Sequence, residues 1–384
     1  MALPSRSFTF SSFASLFPPH DNCHEAQVWR QGVALFDTPA RRPTSAYIPP
    51  TIKNRLTAIQ RRTALSEWLA STVAPTVANA LRAEASSVQK AFTRLTGYQI
   101  EEAVECATAE GNARLAILLS QAGGDAEFRA DLEDQLTVWA TEGADKFVTE
   151  AYRKCMAILA GMTHVWHSPR KSPRGESGDV NVVEGLDWKR TFGLALWYGE
   201  GSEGGEGYER ALHQYEQSMG RDGAALPLPW YKEGPQRGGT STTSSPINDP
   251  LDEADALLEL LRLATAKIPL ERAIYPRAFS PSRLDYRMPW HLYILLSRAM
   301  RLKDFSDRQA SFGDLELDTE GHSETANSVT CAYAAQLEAL GQVQEAAFVL
   351  LHLEGSNGWV FSPSVWSAPD GFMDIDEKRP SRNC

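Results

Sequence analysis

The sequence has 384 residues, of which 42% are hydrophobic and 23% are charged, a composition typical of a folded protein that buries a large core. Its formal net charge of −11 argues against a nucleic-acid-binding surface spread over the whole chain, so we expect no direct nucleic-acid partner. No run approaches the roughly 18 apolar residues of a membrane-spanning helix, and no signal-peptide core follows the first residues, so we expect no membrane insertion.

The N-terminal segment 5–17 alternates weakly between phenylalanine and small polar side chains. Phe8 and Phe10 fall on one side of this alternation and Thr9 on the other, which predicts one or two short strands. An isolated hairpin is at best marginally stable in water, and the rest of the chain offers few strands. These strands therefore need a partner, either elsewhere in the chain or in another protein. The alternative is a partly disordered terminus.

The next part of the chain is predicted to be helical throughout. Residues 24–37 form one amphipathic helix, and a proline-rich linker follows it. A long helical run then extends from Thr51 to about Leu95, and Pro75 is expected to break or kink it near its middle. Residues 97–161 contain short apolar stripes separated by glycines, a pattern typical of the paired helices of an α-solenoid.

The stretch Leu186–Gly199, with the sequence LDWKRTFGLALWYG, predicts the helix around which the others pack. Asp187 is a favourable N-cap for it. Apolar side chains cover nearly its whole circumference, and such a helix is normally buried from several sides. Trp188, Phe192 and Trp197 are therefore predicted to belong to the structural core.

Two segments rich in glycine, proline and serine, 167–185 and 220–248, are predicted to be flexible loops on either side of the central helices. In the first loop, Ser168 and Ser172 each precede a proline, a pattern read by proline-directed kinases. Both serines are therefore possible phosphorylation sites, where each phosphate would add about −1.5 to −2 charges. The alternative is an inert surface loop.

The C-terminal part is again predicted to be helical. Asp249 and Pro250 combine an N-cap with proline at the first helical position. The sequence around Gly341, ALGQVQEAAFVLL, resembles the sequence around Gly111, AEGNARLAILL, which predicts two similar helix–glycine–helix hairpins. Because no strict period connects them, the chain is not a regular tetratricopeptide or HEAT array.

No residues stand out as a catalytic, cofactor-binding or metal site. His164 and His167 have no acidic or cysteine companions at ligand spacing, and the five cysteines are scattered, as suits a reducing compartment. The glycine-rich run 201–207 lacks both a preceding strand and the Lys-Ser or Lys-Thr ending of a phosphate loop. An all-α enzyme would need a cleft with convergent polar groups, and is the least favoured function.

Four stretches together resemble the ninety-six-kilodalton nucleoporin family, which in fungi is the C-terminal product of a self-cleaving nucleoporin precursor. They occur in the family's order over most of residues 24–354, and read VWRQGVALFD, EEAVECATAEGNARLAILLSQAGG, DWKRTFGLALWYG and YAAQLEALGQVQEAAFVLLHLE. The resemblance implies a structural, non-enzymatic role at the nuclear envelope. This role is in the Y-complex of the nuclear pore's outer ring, supporting pore assembly and nucleocytoplasmic transport of protein and mRNA.

The family resemblance implies an all-α fold, an irregular fold-back α-solenoid with the trunk and crown of an ancestral coatomer element, to which we add a short N-terminal β segment. The expected divisions are a partial propeller blade (1–23), N-terminal trunk helices (24–96), crown helices (97–166), a loop (167–185), central trunk helices (186–219), a second loop (220–248), C-terminal trunk helices (249–354) and a disordered tail outside the family pattern (355–384).

Two partners are implied by the resemblance. Family members donate an N-terminal blade to a Sec-thirteen-type β-propeller, and their crown docks on a neighbouring helical nucleoporin. The residues predicted for propeller binding are Phe8, Phe10, Phe13 and Leu16. The residues predicted for nucleoporin docking are Phe128, Trp139, Phe147 and Tyr152. For the second set, the competing interpretation is that all four belong to the core.

The chain departs from the family pattern at both ends, because the autoproteolytic domain and the tail helices are missing. We therefore expect a sequence truncated at both ends, in which contacts with other Y-complex nucleoporins through the tail are doubtful. The alternative function is a vesicle-coat subunit of the same architecture. Such a subunit would share the propeller partner but not the crown partner.

Overall fold

The computed structural model describes residues 8–39, 49–169, 178–199, 208–221, 223–232, 254–308 and 323–354. Throughout these residues the protein is predominantly helical, which confirms the predicted all-α class. The described strands, β1 (Val165–Trp166) and β2 (Val180–Asn181), have two residues each and pair antiparallel. None of the helices in the described ranges is both long and apolar enough to cross a membrane.

The chain forms two compact units. We call Gln27–Leu228 the middle unit, and Met1–Ala26 together with Pro229–Cys384 the terminal unit. The α-helices of the middle unit are α2 (His24–Phe36, beginning in the terminal unit), α3 (Pro50–Ala83), α4 (Ser87–Leu95), α5 (Ile100–Ala109), α6 (Ala113–Ser120), α7 (Ala126–Glu142), α8 (Glu150–Leu159), α9 (Trp188–Tyr198) and α10 (Tyr208–Arg221).

The terminal unit is built from shorter helices. Its α-helices are α1 (Phe10–Ala14), α11 (Ala256–Ala264), α12 (Leu270–Ala273), α13 (Pro276–Phe279), α14 (Arg287–Tyr293), α15 (Glu324–Ala339) and α16 (Val343–Leu350). A π-helix, Ile294–Ala299, continues directly from α14. The N-cap of α11 is Asp255, whose Oδ1 accepts from two backbone amides at 2.9 and 3.1 Å. The N-cap predicted at Asp249 and Pro250 lies outside the described residues.

The predicted N-terminal β segment is wrong over residues 8–17, because residues 10–14 form helix α1. Thr9 has an extended backbone at φ −137° and forms a capping box with Ser12, which satisfies amide groups at the helix start. Thr9, which suggested alternation in the sequence, therefore caps a helix. Phe10 is fully buried in this chain.

Helix α3 shows that Pro75 does not break the helical run. The helix continues through Pro75 to Ala83, and the run is interrupted only at residues 84–86, after which α4 begins. Val73 and Val77, two residues on either side of the proline, are buried. Their packing holds the helix together where proline removes one backbone hydrogen bond. A break at Pro75 is therefore wrong, and a kink there stays a prediction.

Helix α9 is surrounded on nearly all sides, in keeping with its apolar circumference. The Asp187 Oδ1 accepts from the Arg190 amide at 3.0 Å, which caps the helix start. Trp188, Phe192 and Trp197 are 2%, 0% and 6% exposed, respectively. The helix thus forms the buried centre of the middle unit.

The two hairpins α5–α6 and α15–α16 have the same turn geometry. Gly111 and Gly341 adopt the left-handed φ values of +75° and +76° that favour glycine. In each turn, the backbone amide of the residue after the glycine donates to the carbonyl of the residue four positions before the glycine, at 3.0 and 2.9 Å. This bond is typical of a Schellman motif, and it explains the similar sequences around the two glycines.

The segments predicted as loops are partly packed. Within the first, 167–185, residues 180 and 181 form β2, and Val180, Val182 and Val183 are buried. Residues 170–177 of that loop lie outside the described residues. In the second, Trp230 Nε1 donates to the carbonyl of Phe279 at 2.8 Å, so part of residues 223–232 is fixed to α13. The first loop is therefore shorter than predicted at its C-terminal end, and the bounds of the second stay a prediction.

Candidate docking surfaces

The described residues offer no evident centre for chemistry. Nowhere in these ranges do three or more histidine, cysteine, aspartate or glutamate side chains form a group that could hold a metal ion. The His167 Nδ1 lies 3.3 Å from Asp179 Oδ2 at the surface. Burial raises the pKa of the Cys155 thiol to about 12, so this cysteine is a protonated core residue and a poor nucleophile. The candidate sites are the surfaces for which protein partners are predicted.

The first surface lies where α7 joins α8 through a 3-10 turn, Ala144–Phe147. Asp125 caps the start of α7, Gly143 ends it at φ +73°, and Thr149 caps α8. The caps at Gly143 and Thr149 lie on either side of the turn and fix it between the two helices. Phe147 is the last residue of the turn and is 91% exposed.

The other three predicted docking residues are less exposed than Phe147. Trp139 and Tyr152 are partly buried, and their rings pack across α7 and α8 with centroids 6.0 Å apart. Burial raises the pKa of Tyr152, so its phenol stays neutral. The ring of Phe128 is also partly buried and covers Gly124, where a Cβ would lie 2.5 Å from a ring carbon. Of the four side chains, only that of Phe147 is exposed, and the other three are partly buried.

The prediction missed two aliphatic residues in the same part of the chain. Ile117 on α6 is 60% exposed, and Val138 on α7 is 44% exposed. Arg114 and Gln135 connect the two helices by a hydrogen bond of 3.4 Å. The buried residues of α7 recur every four positions, so Val138 could have been recognised in the sequence as an apolar residue off that stripe. We call Phe147, Trp139, Tyr152 and Val138 the α7–α8 surface.

The N-terminal segment is held by residues of its own unit. Glu25 and Arg287 form a bidentate ion pair with distances of 2.7 and 2.6 Å. The ring of Phe13 packs edge-on against His291 with centroids 5.9 Å apart. Phe8 and Leu16 are exposed. Of the four predicted propeller-binding residues, the structure therefore leaves two exposed, one partly buried and one, Phe10, fully buried.

Of the two predicted phosphorylation sites, the structure describes Ser168. The backbone amide of Ser168 donates to Asp179 Oδ1 at 2.8 Å, and the side chain is partly buried. Ser172 lies outside the described residues. A phosphate at Ser168 would be placed close to the Asp179 carboxylate and would repel it. Phosphorylation at both serines stays a prediction.

Comparison with known proteins identifies the family. Residues 89–358 match the model of the family Nup96, described as Nuclear protein 96, which is more than half of the 384 residues. The chain belongs to the Nup96 family. This confirms the resemblance found in the sequence. The match includes α5 to α16 and therefore the α7–α8 surface.

Relatives of the Nup96 family come from distant eukaryotes. The chain is 29% identical over 336 residues to nucleoporin nup189 of Schizosaccharomyces pombe, which is 86% of this chain and 17% of that protein. It is 25% identical over 320 residues to nuclear pore complex protein Nup98-Nup96 of Dictyostelium discoideum, covering 80% of this chain and 14% of that protein. It is 28% identical over 302 residues to nuclear pore complex protein NUP96 of Arabidopsis thaliana, covering 76% of this chain and 25% of that protein.

The chain thus spans between 14% and 25% of the length of these curated relatives. Membership of the Nup96 family makes it a nucleoporin located at the nuclear pore complex of the nuclear envelope, as predicted. It also makes it a structural protein and not an enzyme, as predicted.

Proposed function

We propose that this chain is a scaffold subunit of the Y-complex in the outer ring of the nuclear pore. In this role it supports pore assembly and, through the pore, the transport of protein and mRNA. The observation that carries the proposal is the family match over residues 89–358. The helical hairpins agree with a function that consists of binding other proteins.

The neighbouring helical nucleoporin is proposed to dock on the α7–α8 surface. Aromatic residues supply much of the binding energy of protein interfaces, and Phe147 is almost completely exposed. Trp139 and Tyr152 lie on the helices that flank the turn and form an aromatic base beside it. A partner that covers Phe147 would remove a large apolar side chain from water without having to unfold anything in this chain.

The Sec-thirteen-type propeller is proposed to bind the N-terminal segment through the exposed residues Phe8 and Leu16. Phe13 would take part only at the edge of this contact, since its ring already packs on His291. Phe10 could join the interface as part of a donated strand only if α1 unfolds, because it is buried in the helical form. Binding without unfolding of α1 would therefore use a helical face and not strand addition.

A capture experiment with the full chain tests the docking proposal. We compare the wild type with Phe147→Asp and with Phe348→Asp, a matched control at a second exposed phenylalanine, in α16. Purified neighbouring nucleoporin and purified propeller serve as separate prey proteins, and vesicle-coat subunits serve as competing prey. Circular dichroism confirms that each variant is folded.

We expect Phe147→Asp to lose the helical nucleoporin while it keeps the propeller, and Phe348→Asp to keep both. Equal capture of the nucleoporin by all three proteins would place the docking surface elsewhere. Capture of vesicle-coat subunits in preference to nucleoporins would favour the alternative function and contradict the Y-complex role.

A further inference from the structure

A serine–proline sequence follows helix α13 in the terminal unit. Residues 280–283 read Ser-Pro-Ser-Arg, so the serine at position 280 has a proline directly after it and a basic residue three positions after it. Proline-directed protein kinases read this pattern, since their substrate site has no acceptor for a backbone N–H at the position that proline fills. The same pattern starts at Ser168, where Lys171 takes the place of Arg283. Because the structure describes all of residues 280–283, it shows how the folded protein presents this serine.

The residues that a kinase would read lie in a short exposed connection between α13 and α14. Pro281, Ser282 and Arg283 are exposed, and the side chain of Leu284 is 77% exposed. Ser280 itself is partly exposed and has an extended backbone at φ −145° and ψ 149°, the conformation that a following proline favours. Protein kinases bind the residues around the acceptor hydroxyl in extended form. The backbone of Ser280 therefore already has the required conformation.

Side-chain hydrogen bonds at the surface shape this connection. Ser280 Oγ accepts from the Ser282 amide at 3.3 Å, and Ser282 Oγ accepts from the Leu284 amide at 3.2 Å. The Arg277 guanidinium donates to the carbonyl of Pro281. All three bonds are exposed, so water can replace each of them at a small net change in free energy. The Ser280 hydroxyl can therefore turn toward a kinase without a change in the core.

Both ends of the connection are fixed within the terminal unit. At the α13 end, Trp230 Nε1 donates to the carbonyl of Phe279 at 2.8 Å. At the α14 end, Gln336 Oε1 in α15 accepts from the Tyr286 amide at 2.9 Å. These bonds use backbone groups of the residues that flank the exposed sequence and leave the Ser280 side chain out. A kinase would therefore find Ser280 on an exposed connection whose ends stay folded.

We propose that Ser280 is a phosphorylation site for a proline-directed protein kinase that uses ATP. Ser280 Oγ attacks the γ-phosphorus of ATP held by the kinase, and the bond from this phosphorus to the oxygen that bridges it to the β-phosphate breaks. ADP leaves with that oxygen, and the hydroxyl proton passes to a base of the kinase. Pro281 and Arg283 are the residues that the kinase reads. The product is phosphoserine, which adds about −1.5 to −2 charges to the exposed connection.

Treatment of the purified full chain with ATP and a proline-directed kinase of the cyclin-dependent class tests the proposal, and mass spectrometry locates each phosphate. The test variant is Pro281→Ala, which removes the proline after the serine. The matched control is Ser282→Ala, which changes the same connection and leaves Ser280, Pro281 and Arg283 in place. A synthetic peptide of residues 275–287, made with and without the same substitutions, is the unfolded substrate. Thermal unfolding checks that both chain variants are folded.

We expect phosphate on Ser280 in the folded wild type, in Ser282→Ala and in the corresponding peptides. Pro281→Ala should lose it in the chain and in the peptide alike, so the result does not depend on the folding of that variant. Phosphorylation of the peptide but not of the full chain would show that the folded protein withholds Ser280, and would overturn the proposal. Phosphate on Ser282 instead, equal phosphorylation with and without Pro281, or no phosphate in either substrate would overturn it as well.

Discussion

Gly193 in α9 offers a sharp test of how tightly the middle unit is packed. A Cβ at this position would lie 2.5 Å from Cζ3 and 2.7 Å from Cη2 of Trp197. The indole is held by a hydrogen bond of 2.8 Å from Nε1 to Ser66 Oγ and by stacking on Tyr98, with ring centroids 5.1 Å apart. It cannot turn away without losing both contacts. We therefore expect Gly193→Ala to overpack the site, at a cost of about 1–3 kcal/mol.

Helix propensity acts in the opposite direction at the same residue. Alanine in a helix interior is about 1 kcal/mol more favourable than glycine, so the net effect of Gly193→Ala in the wild type is about 0–2 kcal/mol of destabilisation. In a Trp197→Ala background the steric conflict is removed and only the propensity gain remains. There Gly193→Ala should stabilise the protein by about 1 kcal/mol, although Trp197→Ala itself costs about 3–5 kcal/mol.

Urea unfolding of the four proteins of this double-mutant cycle, followed by far-ultraviolet circular dichroism, gives the coupling free energy. We expect about 1–3 kcal/mol, because the propensity contribution cancels between the two backgrounds. Gly111→Ala is the control: at φ +75° it has an unfavourable backbone but no atom within 4 Å of a Cβ, so its cost should be the same with and without Trp197. An equal effect of Gly193→Ala in both backgrounds would refute the packing of the indole on Gly193.

Three further predictions concern the surface and the terminal unit. Phe147→Asp should change the free energy of unfolding by less than about 0.5 kcal/mol in urea titrations, because the side chain is 91% exposed. Glu354→Gln should cost about 3–5 kcal/mol in the same assay, since it leaves the buried charges of Arg298 and Arg308 without this carboxylate. Burial lowers the pKa of His291 below its ordinary value of 6.5, so the folded state binds this proton less readily than the unfolded state. The stability that this group contributes is complete above about pH 6.5 and falls as the pH drops through the folded pKa. In thermal melts, the melting temperature of His291→Gln should therefore decrease less over this pH range than that of the wild type.

The sequence was sufficient for those elements whose pattern is long and consistent. Apolar residues around the whole of α9 predicted its burial, and the repeated glycine turn predicted both hairpins, because each signal extends over ten or more residues. It was insufficient where the element is short. Five residues of α1 cannot distinguish period two from period 3.6, and Thr9 can either alternate in a strand or cap a helix.

The continuity of α3 at Pro75 and the different burial of the docking residues could not be predicted for a different reason. The penalty of a proline inside a helix is local, but the burial of Val73 and Val77 that offsets it is a tertiary property. Likewise, Phe128, Trp139, Phe147 and Tyr152 look equivalent as aromatic residues outside an apolar stripe. Only the three-dimensional arrangement separates Phe147, on an exposed turn, from the three that pack on their own unit.

The surroundings of the aromatic side chains separate the positions that fold this chain from those that remain available for binding. Trp197 and Tyr198 in α9 are buried. The Trp197 indole donates to the Ser66 hydroxyl in α3 at 2.8 Å, and the Tyr198 hydroxyl donates to the carbonyl of Leu95, the last residue of α4, at 3.1 Å. Their loss must therefore lower stability before it affects any partner. The backbone of Phe147 is fixed by helix caps on both sides, yet its ring is exposed to water. The ring therefore contributes little to the stability of the described part of the middle unit. The docking proposal accounts for a phenylalanine at this position, since a partner that covers its ring would remove it from water.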